Sequence, residues 1–261
     1  MRTSETALSV RVKGREHMLS ARFRESGHEL LVFVHGLGNS KDNWRGAWAA
    51  GALRGRSLLA FDLMGFGHSP RPSGFGYTLE DHAGVLAAVI DAHAVRSIHL
   101  VAHSMGGTIA LLLPTRIMAR LHGLFLVEPR LCKSSCGIAA EAVQGTFEHF
   151  STEIFPRFRQ RHSRDPHTAF DLDRADPEAF YTGGCSLVGW TQRHELFGRF
   201  AAAPCRKAFI YGQHNQHLDE LGAVDDALKF EIPNAGHFSM NDNPDAFYGQ
   251  LAALLPPAPG A

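Results

Sequence analysis

The chain has 261 residues, of which 44% are hydrophobic and 20% charged, and its 26 basic residues balance its 26 acidic ones. This length is sufficient for one large α/β domain that carries an insertion. Because the charges balance, no overall electrostatic field attracts nucleic acid or an anionic membrane. The sequence also contains no P-loop, dinucleotide fingerprint or nucleic-acid-binding module, which disfavours nucleotide and nucleic-acid partners.

The N-terminal segment MRTSETALSVRVKG has no apolar core of the kind found in signal peptides. No apolar run reaches the ~18 residues that a membrane-spanning helix needs. We therefore expect a cytoplasmic protein without a membrane partner. The four cysteines lack paired C-x-x-C spacing, which predicts free thiols. His214 and His217 have no third ligand near them in sequence, and zinc sites use several protein ligands, so we expect no metal.

The predicted elements begin with two alternating segments, 8–12 and 17–23, which are typical of an antiparallel hairpin with one solvated face. Short apolar segments follow, and strands that helices cover on both faces have this composition. These six segments lie at 31–34, 57–61, 97–102, 123–127, 208–211 and 228–232. Helical patterns alternate with them, one capped by Thr78 and the last beginning at Asn243 and Pro244. This order predicts an α/β fold with a doubly wound, mainly parallel sheet.

One long segment, 131–205, lies between two core strands and contains no clear buried strand. It is too long for an ordinary connection, and its many aromatic residues predict a helical cap with an apolar underside. The predicted core domain therefore comprises 1–130 and 206–255, and the tail 256–261 is predicted to be disordered. We expect Trp190 of the cap and Gly38 of the core to contribute to a substrate pocket.

Ser104 stands where the apolar segment 97–102 changes directly into the helical pattern MGGTIALLL. In a nucleophile elbow the serine occupies a strained turn, and small residues two positions before and after it prevent collisions. Ala102 and Gly106 are small residues at these positions. Open α/β sheets bind ligands at the carboxyl ends of their strands. The sequence therefore predicts that Ser104 is a nucleophile at that edge.

Two further segments are expected at the same edge. The sequence FVHGLG follows an apolar strand and predicts an oxyanion hole in which the N–H groups of Leu37 and Met105 bind the negative oxygen of a tetrahedral intermediate. His237 lies in a turn just beyond the last strand segment. From there its imidazole can accept the proton of Ser104 and return it to the leaving group.

The segments HGLG, FDLMGFGHS, AHSMGG and IPNAGHF followed by DNP resemble the α/β-hydrolase superfamily, in its capped serine esterase-like branch. The resemblance covers nearly all of the chain outside the cap. It implies a triad of nucleophile, acid and histidine in that chain order. It also implies that Asp62 orders the loop that follows it. These motifs are specific for the fold and for serine chemistry but say little about the substrate.

The acid is the open question, because the resemblance aligns Asn215 with the usual aspartate. An asparagine has no charge to stabilise an imidazolium, and this exchange lowers turnover by about 10⁴ in the triad template. Glu128, the first polar residue after four apolar ones, ends the preceding core strand at the functional edge. Some branches, including haloalkane dehalogenases, carry the acid on that earlier strand. We predict Glu128 as the acid, with Asp219 as the alternative, and less than about tenfold loss of turnover in Asn215→Ala.

The predicted reaction is hydrolysis of a small-molecule carboxylic ester through a covalent acyl-enzyme, without a cofactor. An acyl thioesterase or lactonase would use the same residues, and a carbon–carbon bond hydrolase would add polar cap groups. A binding protein with little or no turnover is the alternative from another class. Four cap arginines are compatible with a solvated helix face or with a docking patch for an acidic acyl-carrier protein: Arg157, Arg159, Arg161 and Arg164.

Overall fold

The computed structural model describes residues 3–93, 97–164 and 169–257. The last four residues of the tail for which disorder is predicted, 258–261, lie outside this range. The described part contains a single eight-stranded sheet. Its strands are β1 (Thr3–Val12), β2 (Arg15–Arg24), β3 (Glu29–Val34), β4 (Ser57–Phe61), β5 (Ser97–His103), β6 (Leu121–Val127), β7 (Arg206–Gly212) and β8 (Lys229–Ile232).

The strand order is β1-β2-β4-β3-β5-β6-β7-β8. The opening hairpin β1–β2 is antiparallel, β2 is antiparallel to β4, and every other neighbouring pair is parallel. The predicted α/β class with a mainly parallel, doubly wound sheet is therefore confirmed. Parallel strands β3, β5, β6 and β7 end at the same edge, so the segments that follow them meet there.

The helices before the insertion are α1 (Gly46–Ala49), α2 (Leu79–Asp91), α3 (Met105–Leu111) and α4 (Thr115–Met118). The insertion contains α5 (Gly137–Ala142), α6 (Phe147–His149), α7 (Phe155–His162), α8 (Ala169–Asp173), α9 (Pro177–Thr191) and α10 (Leu196–Ala202), with a π-helical turn at Phe150–Ile154. The helices after it are α11 (Glu220–Ala223), α12 (Ser239–Asp242) and α13 (Pro244–Leu254). Single 3₁₀ turns lie at Lys41–Trp44, Gly51–Leu53, Lys133–Ser135, Gln213–Asn215 and Asp226–Leu228.

Alternate residues of the strands enter two separate cores. Leu30 and Val32 of β3 pack with α2, α3 and the helical insertion, whereas Leu31 and Phe33 pack with α1 and α13. Because side chains alternate across a strand, a strand that is apolar throughout supplies both cores. The two layers of helices hold the sheet rigid and fix the position of its carboxyl edge.

The helix boundaries follow the predicted caps. The Thr78 side chain accepts a hydrogen bond from the N–H of Asp81, and the Asp81 side chain accepts from the Thr78 N–H. Asn243 caps α13, which begins with Pro244. Both arrangements satisfy backbone donors that the first turn of a helix leaves free. In the described part of the chain, no helix combines the length and the apolarity needed to cross a bilayer.

Candidate active site

Ser104 occupies a sharp turn between β5 and α3, with φ 53° and ψ −122°. A non-glycine residue rarely adopts positive φ, so the surrounding packing must hold this one. A Cβ on Gly106 would lie 2.5 Å from the His35 carbonyl oxygen, and one on Gly36 would lie 2.9 Å from Ser104 Cβ. The turn therefore packs directly against the loop after β3, and only glycine fits at these two contacts.

The loop after β3 is held by His35. Its Nδ1 donates to the Gly36 carbonyl at 2.8 Å, and its Nε2 accepts from the Leu63 N–H at 2.9 Å. Both ring nitrogens are thus used within the fold. The N–H groups of Leu37 and Met105 donate to no acceptor in the described part of the chain. Two unused donors on either side of the elbow are what an oxyanion site requires.

His237 and Glu128 meet at the same edge of the sheet. His237 Nδ1 lies 2.7 Å from Glu128 Oε2, and the carboxylate is fully buried. A carboxylate accepts only, so Nδ1 carries the proton and Nε2 keeps its lone pair. The residues are 109 positions apart in the chain. The fold brings them together because β6 ends beside β7 and the turn after β8.

Asn215 donates to the Glu128 carboxylate and lies beside it. Its Nδ2 lies 2.7 Å from Glu128 Oε1 and 2.8 Å from Oε2, and the Gly212 N–H donates to Oε1 at 2.9 Å. Burial raises the pKa of Glu128, and the hydrogen bonds from Asn215 and Gly212 oppose that rise. The amide donors therefore help to keep Glu128 ionised and fixed in orientation.

The alternative acid, Asp219, is not brought to the histidine. Its side chain is exposed and accepts a hydrogen bond from Ser134 Oγ at 2.5 Å. The 3₁₀ turn Gln213–Asn215 follows β7 directly, and from it Asn215 reaches Glu128. The carboxylate that contacts His237 is Glu128.

Sequence reasoning did not identify Arg130 as part of this site. Its Nη2 lies 3.1 Å from His237 Nδ1 and 3.0 Å from Nε2. Because Nδ1 carries its own proton, Nε2 is the ring nitrogen that can accept a hydrogen bond from this guanidinium. Enclosure lowers the pKa of His237 well below its ordinary value, and the Arg130 guanidinium lowers it further.

His103 contacts the turn that carries His237. Its Nε2 lies 2.9 Å from the His237 carbonyl oxygen, and the two rings are 4.5 Å apart. Burial lowers the pKa of His103 well below its ordinary value. His103 is therefore a neutral donor that fixes the backbone of His237, and its position directly before Ser104 was the only sequence signal for it.

Ser104 Oγ makes no hydrogen bond to His237 or to any other residue in the described part of the chain. Catalytic hydrogen bonds are often long before substrate binds. The two side chains nevertheless line the same cavity of about 270 Å³, together with Leu37, Gly38 and Arg130. This volume lies just below the range of typical ligand pockets, about 300–1,000 Å³.

The two predicted pocket residues differ in their positions. Gly38 lines the cavity, and its φ of 71° and a hypothetical Cβ at 2.6 Å from Phe180 both require glycine there. Trp190 does not line it. Its Nε1 donates to Glu80 at 2.8 Å, and its ring packs against the guanidinium groups of Arg193 and Arg199. The ring of Trp190 therefore lies on a face of α9 that packs against other residues of the fold, and its predicted pocket role stays untested.

Three of the four cap arginines form ion pairs with carboxylates of the insertion. Arg157 pairs with Glu153, Arg159 with Asp173 and Arg161 with Glu141. These pairs are exposed and partly neutralise the local positive charge. Arg164 is exposed beyond the end of α7. Docking of an acidic carrier protein to this face stays a hypothesis.

Comparison with known proteins gives a family match. A family model described as alpha/beta hydrolase fold matches residues 29–173, more than half of the chain. The chain is 38% identical over 109 residues to a protein named Probable lysophospholipase BODYGUARD 4 from Arabidopsis thaliana, over 41% of this chain and 26% of that protein. The chain thus covers only about a quarter of the length of this curated relative.

Two solved structures are similar over almost the whole chain. One is a variant of the N-acyl homoserine lactonase AidH complexed with N-hexanoyl homoserine, with a TM-score of 0.74, 18% identity and coverage of 97% of this chain and 96% of that one. The other is a malate-bound thermophilic esterase from Thermogutta terrifontis, with a TM-score of 0.72, 19% identity and coverage of 95% and 97%. At this identity the likeness establishes the fold. With the family match and the elbow in place, the chain belongs to the α/β-hydrolase family.

Proposed function

We propose that this hydrolase cleaves carboxylic esters through Ser104, His237 and Glu128, by way of a covalent acyl-enzyme. The observation that supports this most directly is the 2.7 Å hydrogen bond between Glu128 Oε2 and His237 Nδ1, at the sheet edge that also carries Ser104. The strained elbow supplies the nucleophile, and the buried carboxylate orients the base. This is the arrangement of nucleophile, base and orienting group that covalent catalysis uses.

The reaction would proceed in two steps. Ser104 Oγ attacks the ester carbonyl while His237 Nε2 takes its proton, and the N–H groups of Leu37 and Met105 bind the oxygen that becomes negative. His237 then returns the proton to the departing alcohol. In the second step His237 takes a proton from the water that attacks the acyl-enzyme, and it returns that proton to Ser104 Oγ as the bond to the acyl group breaks and the acid leaves. Glu128 stabilises the imidazolium in both steps.

Thioesters and lactones pass through the same tetrahedral intermediate, so the triad does not distinguish them from esters. The lactonase and esterase similarities establish the fold alone and favour neither. A binding protein with little turnover would not need a buried carboxylate oriented by two donor groups, because burying that charge costs free energy. The geometry of Glu128 therefore supports an enzyme over a binding module.

The test is a panel of p-nitrophenyl acyl esters, acyl thioesters and lactones assayed with wild type, Ser104→Ala and Glu128→Gln. We expect Ser104→Ala to abolish turnover of the preferred class. Glu128→Gln should lose about 10²- to 10⁴-fold in kcat, because the imidazolium loses its carboxylate. Asp219→Asn is the matched control and should change kcat less than about twofold.

Substantial activity in Ser104→Ala would exclude the covalent serine mechanism. A large loss of kcat in Asp219→Asn together with nearly unchanged kcat in Glu128→Gln would show that the catalytic acid has been assigned to the wrong residue. If no class of substrate is hydrolysed in a Ser104-dependent way, the binding-protein alternative is favoured.

A further inference from the structure

The cavity beside Ser104 has an asymmetric charge. Arg130 is its one permanent cation in the described part of the chain, and no aspartate or glutamate lines it. Most other lining side chains are apolar, among them Leu37, Ile138, Leu172 and Leu187. A pocket that combines one fixed positive charge with apolar walls complements a small molecule that is apolar with one negative group.

The guanidinium of Arg130 has no ion-pair partner within 4.0 Å in the described part of the chain. Its own polar contacts are the two to the His237 ring. Glu128 and Glu220 act on it only over longer distances and raise its pKa, against the lowering caused by burial. An enclosed cation without a close carboxylate costs free energy unless a ligand supplies the counter-charge.

The position of Arg130 also affects the base. Its positive charge lies within 3.1 Å of both ring nitrogens of His237 and opposes formation of the imidazolium on which Ser104 depends. A negative group of the substrate bound to the guanidinium would offset that charge at the moment of attack. The same contact would place the substrate beside Ser104, which lines the same cavity.

We propose that Arg130 binds a carboxylate of the substrate, so that the enzyme selects small esters that carry an anionic group close to the scissile bond. This proposal rests on the proposed ester hydrolysis and names its substrate class. Arginine suits the role because its planar fork binds a carboxylate through two parallel hydrogen bonds. The carboxylate can belong to the acyl or to the alcohol part of the ester.

The experiment compares carboxylates with carboxamides of the same shape. On the acyl side, monomethyl glutarate is compared with methyl 4-carbamoylbutyrate. On the alcohol side, O-butyryl glycolate is compared with O-butyryl glycolamide. We expect wild type to prefer the carboxylate by at least about tenfold in kcat/KM in one of the two pairs. The pair that shows the preference identifies the part of the ester that carries the anion.

Arg130→Met should reduce that carboxylate-to-carboxamide ratio to about one or less, and Arg130→Lys should retain part of it, because a lysine keeps the charge without the fork. Arg193→Met is the matched control, since this exposed arginine packs on Trp190 outside the cavity. A second readout is the acid limb of the kcat/KM profile for the carboxamide. Arg130→Met should move this limb to higher pH, because removal of the cation raises the pKa of His237.

A wild-type ratio near one in both pairs would overturn the proposal while leaving Ser104-dependent hydrolysis intact. An unchanged ratio in Arg130→Met would show that Arg130 only positions His237, and would also overturn it. If no ester is hydrolysed at all, the ester mechanism fails. Calorimetric binding of glutarate to wild type and Arg130→Met then tests separately whether Arg130 binds a carboxylate. Binding to wild type and not to Arg130→Met supports the anion site, and equal binding to both refutes it.

Discussion

Ser104 and Glu128 share a backbone conformation that side-chain-bearing residues seldom adopt, with φ of 53° and 42° at the ends of neighbouring strands. Such a strained backbone is retained only where the surrounding packing and hydrogen bonds hold it in place, and it is found most often at functional sites. The Ser104 N–H donates to the Val127 carbonyl, and the Glu128 N–H donates to the Ile210 carbonyl, both at 2.9 Å. These bonds continue the sheet beyond its last residues and hold both side chains at the edge.

The contribution of Asn215 to the orientation of Glu128 can be measured by removing its amide. Its amide bonds both oxygens of Glu128, and hydrogen bonds to charged groups contribute about 1.5–3 kcal/mol. Asn215→Ala should therefore lower kcat/KM by about 10- to 100-fold, more than the sequence alone suggests. Steady-state assays of this variant beside Asp219→Asn would measure it. Equal, near-wild-type rates for both would show that Gly212 and His237 orient Glu128 without help.

Among the elements, the insertion is joined to the core at the loop that follows β3. Ser40 Oγ donates to Asp171 Oδ1 at 2.5 Å, and Gly38 packs against Leu172 and Phe180. Asp171 on α8 is almost completely buried. Burial raises the pKa of Asp171 to about 7, and the hydrogen bond from Ser40 opposes the rise. The helical insertion thus closes one side of the cavity through a carboxyl group that titrates near neutral pH.

A stability measurement tests this contact. Between pH 4 and 7 the folded state binds more protons at Asp171 than the unfolded state does, so the free energy of unfolding falls as pH rises through this range and is constant above it. Asp171→Asn removes that penalty and keeps an acceptor for Ser40. We expect this variant to have a free energy of unfolding about 1 to 4 kcal/mol larger than that of wild type above pH 7, and nearly the same value at pH 4.

Urea unfolding at pH 4 and pH 8 would give the two free energies. Asp173→Asn is the matched control, because this residue lies on the same helix but is exposed and pairs with Arg159. The interpretation would be refuted by an Asp171→Asn variant whose stability depends on pH as steeply as that of wild type.

At the scale of the whole molecule, the face of the insertion that carries Arg157, Arg159 and Arg161 leads to a separate test. The three pairs with carboxylates lie on the protein surface, and none of their six residues lines the cavity. If an acidic carrier protein docks there, changing all three arginines to glutamine should lower turnover of a carrier-bound thioester by about tenfold at low salt. Turnover of a small ester should stay within about twofold.

Added salt provides the internal check. From about 0.05 to 0.3 M the Debye length shortens to less than 10 Å, so wild-type turnover of the carrier-bound substrate should fall while that of the small ester does not. Rates on both substrates that are independent of salt would exclude electrostatic docking at this face.

The sequence predicted the sheet because its strands depend on local patterns. Continuous apolar segments can be satisfied only by strands covered on both faces, and the observed strands contain or closely match each predicted one. The turn at Ser104 and the position of His237 follow from small residues and spacing within a few positions. The same local signals predict the loop after β3 as an oxyanion loop and Gly38 as a pocket residue, and both roles stay predictions.

The tertiary structure decided which of the two candidate carboxylates lies beside His237, and it added Arg130. Glu128 and Arg130 reach the histidine from 109 and 107 residues away in the chain, and Asn215 bonds Glu128 from 87 residues away, so no local pattern encodes these contacts. The sequence also did not predict which face of α9 carries Trp190. Aromatic residues are compatible with more than one face of a buried helix, so aromatic character alone does not place the ring. Backbone patterns are local and set the fold, whereas the charges at the active site depend on how distant segments pack against one another.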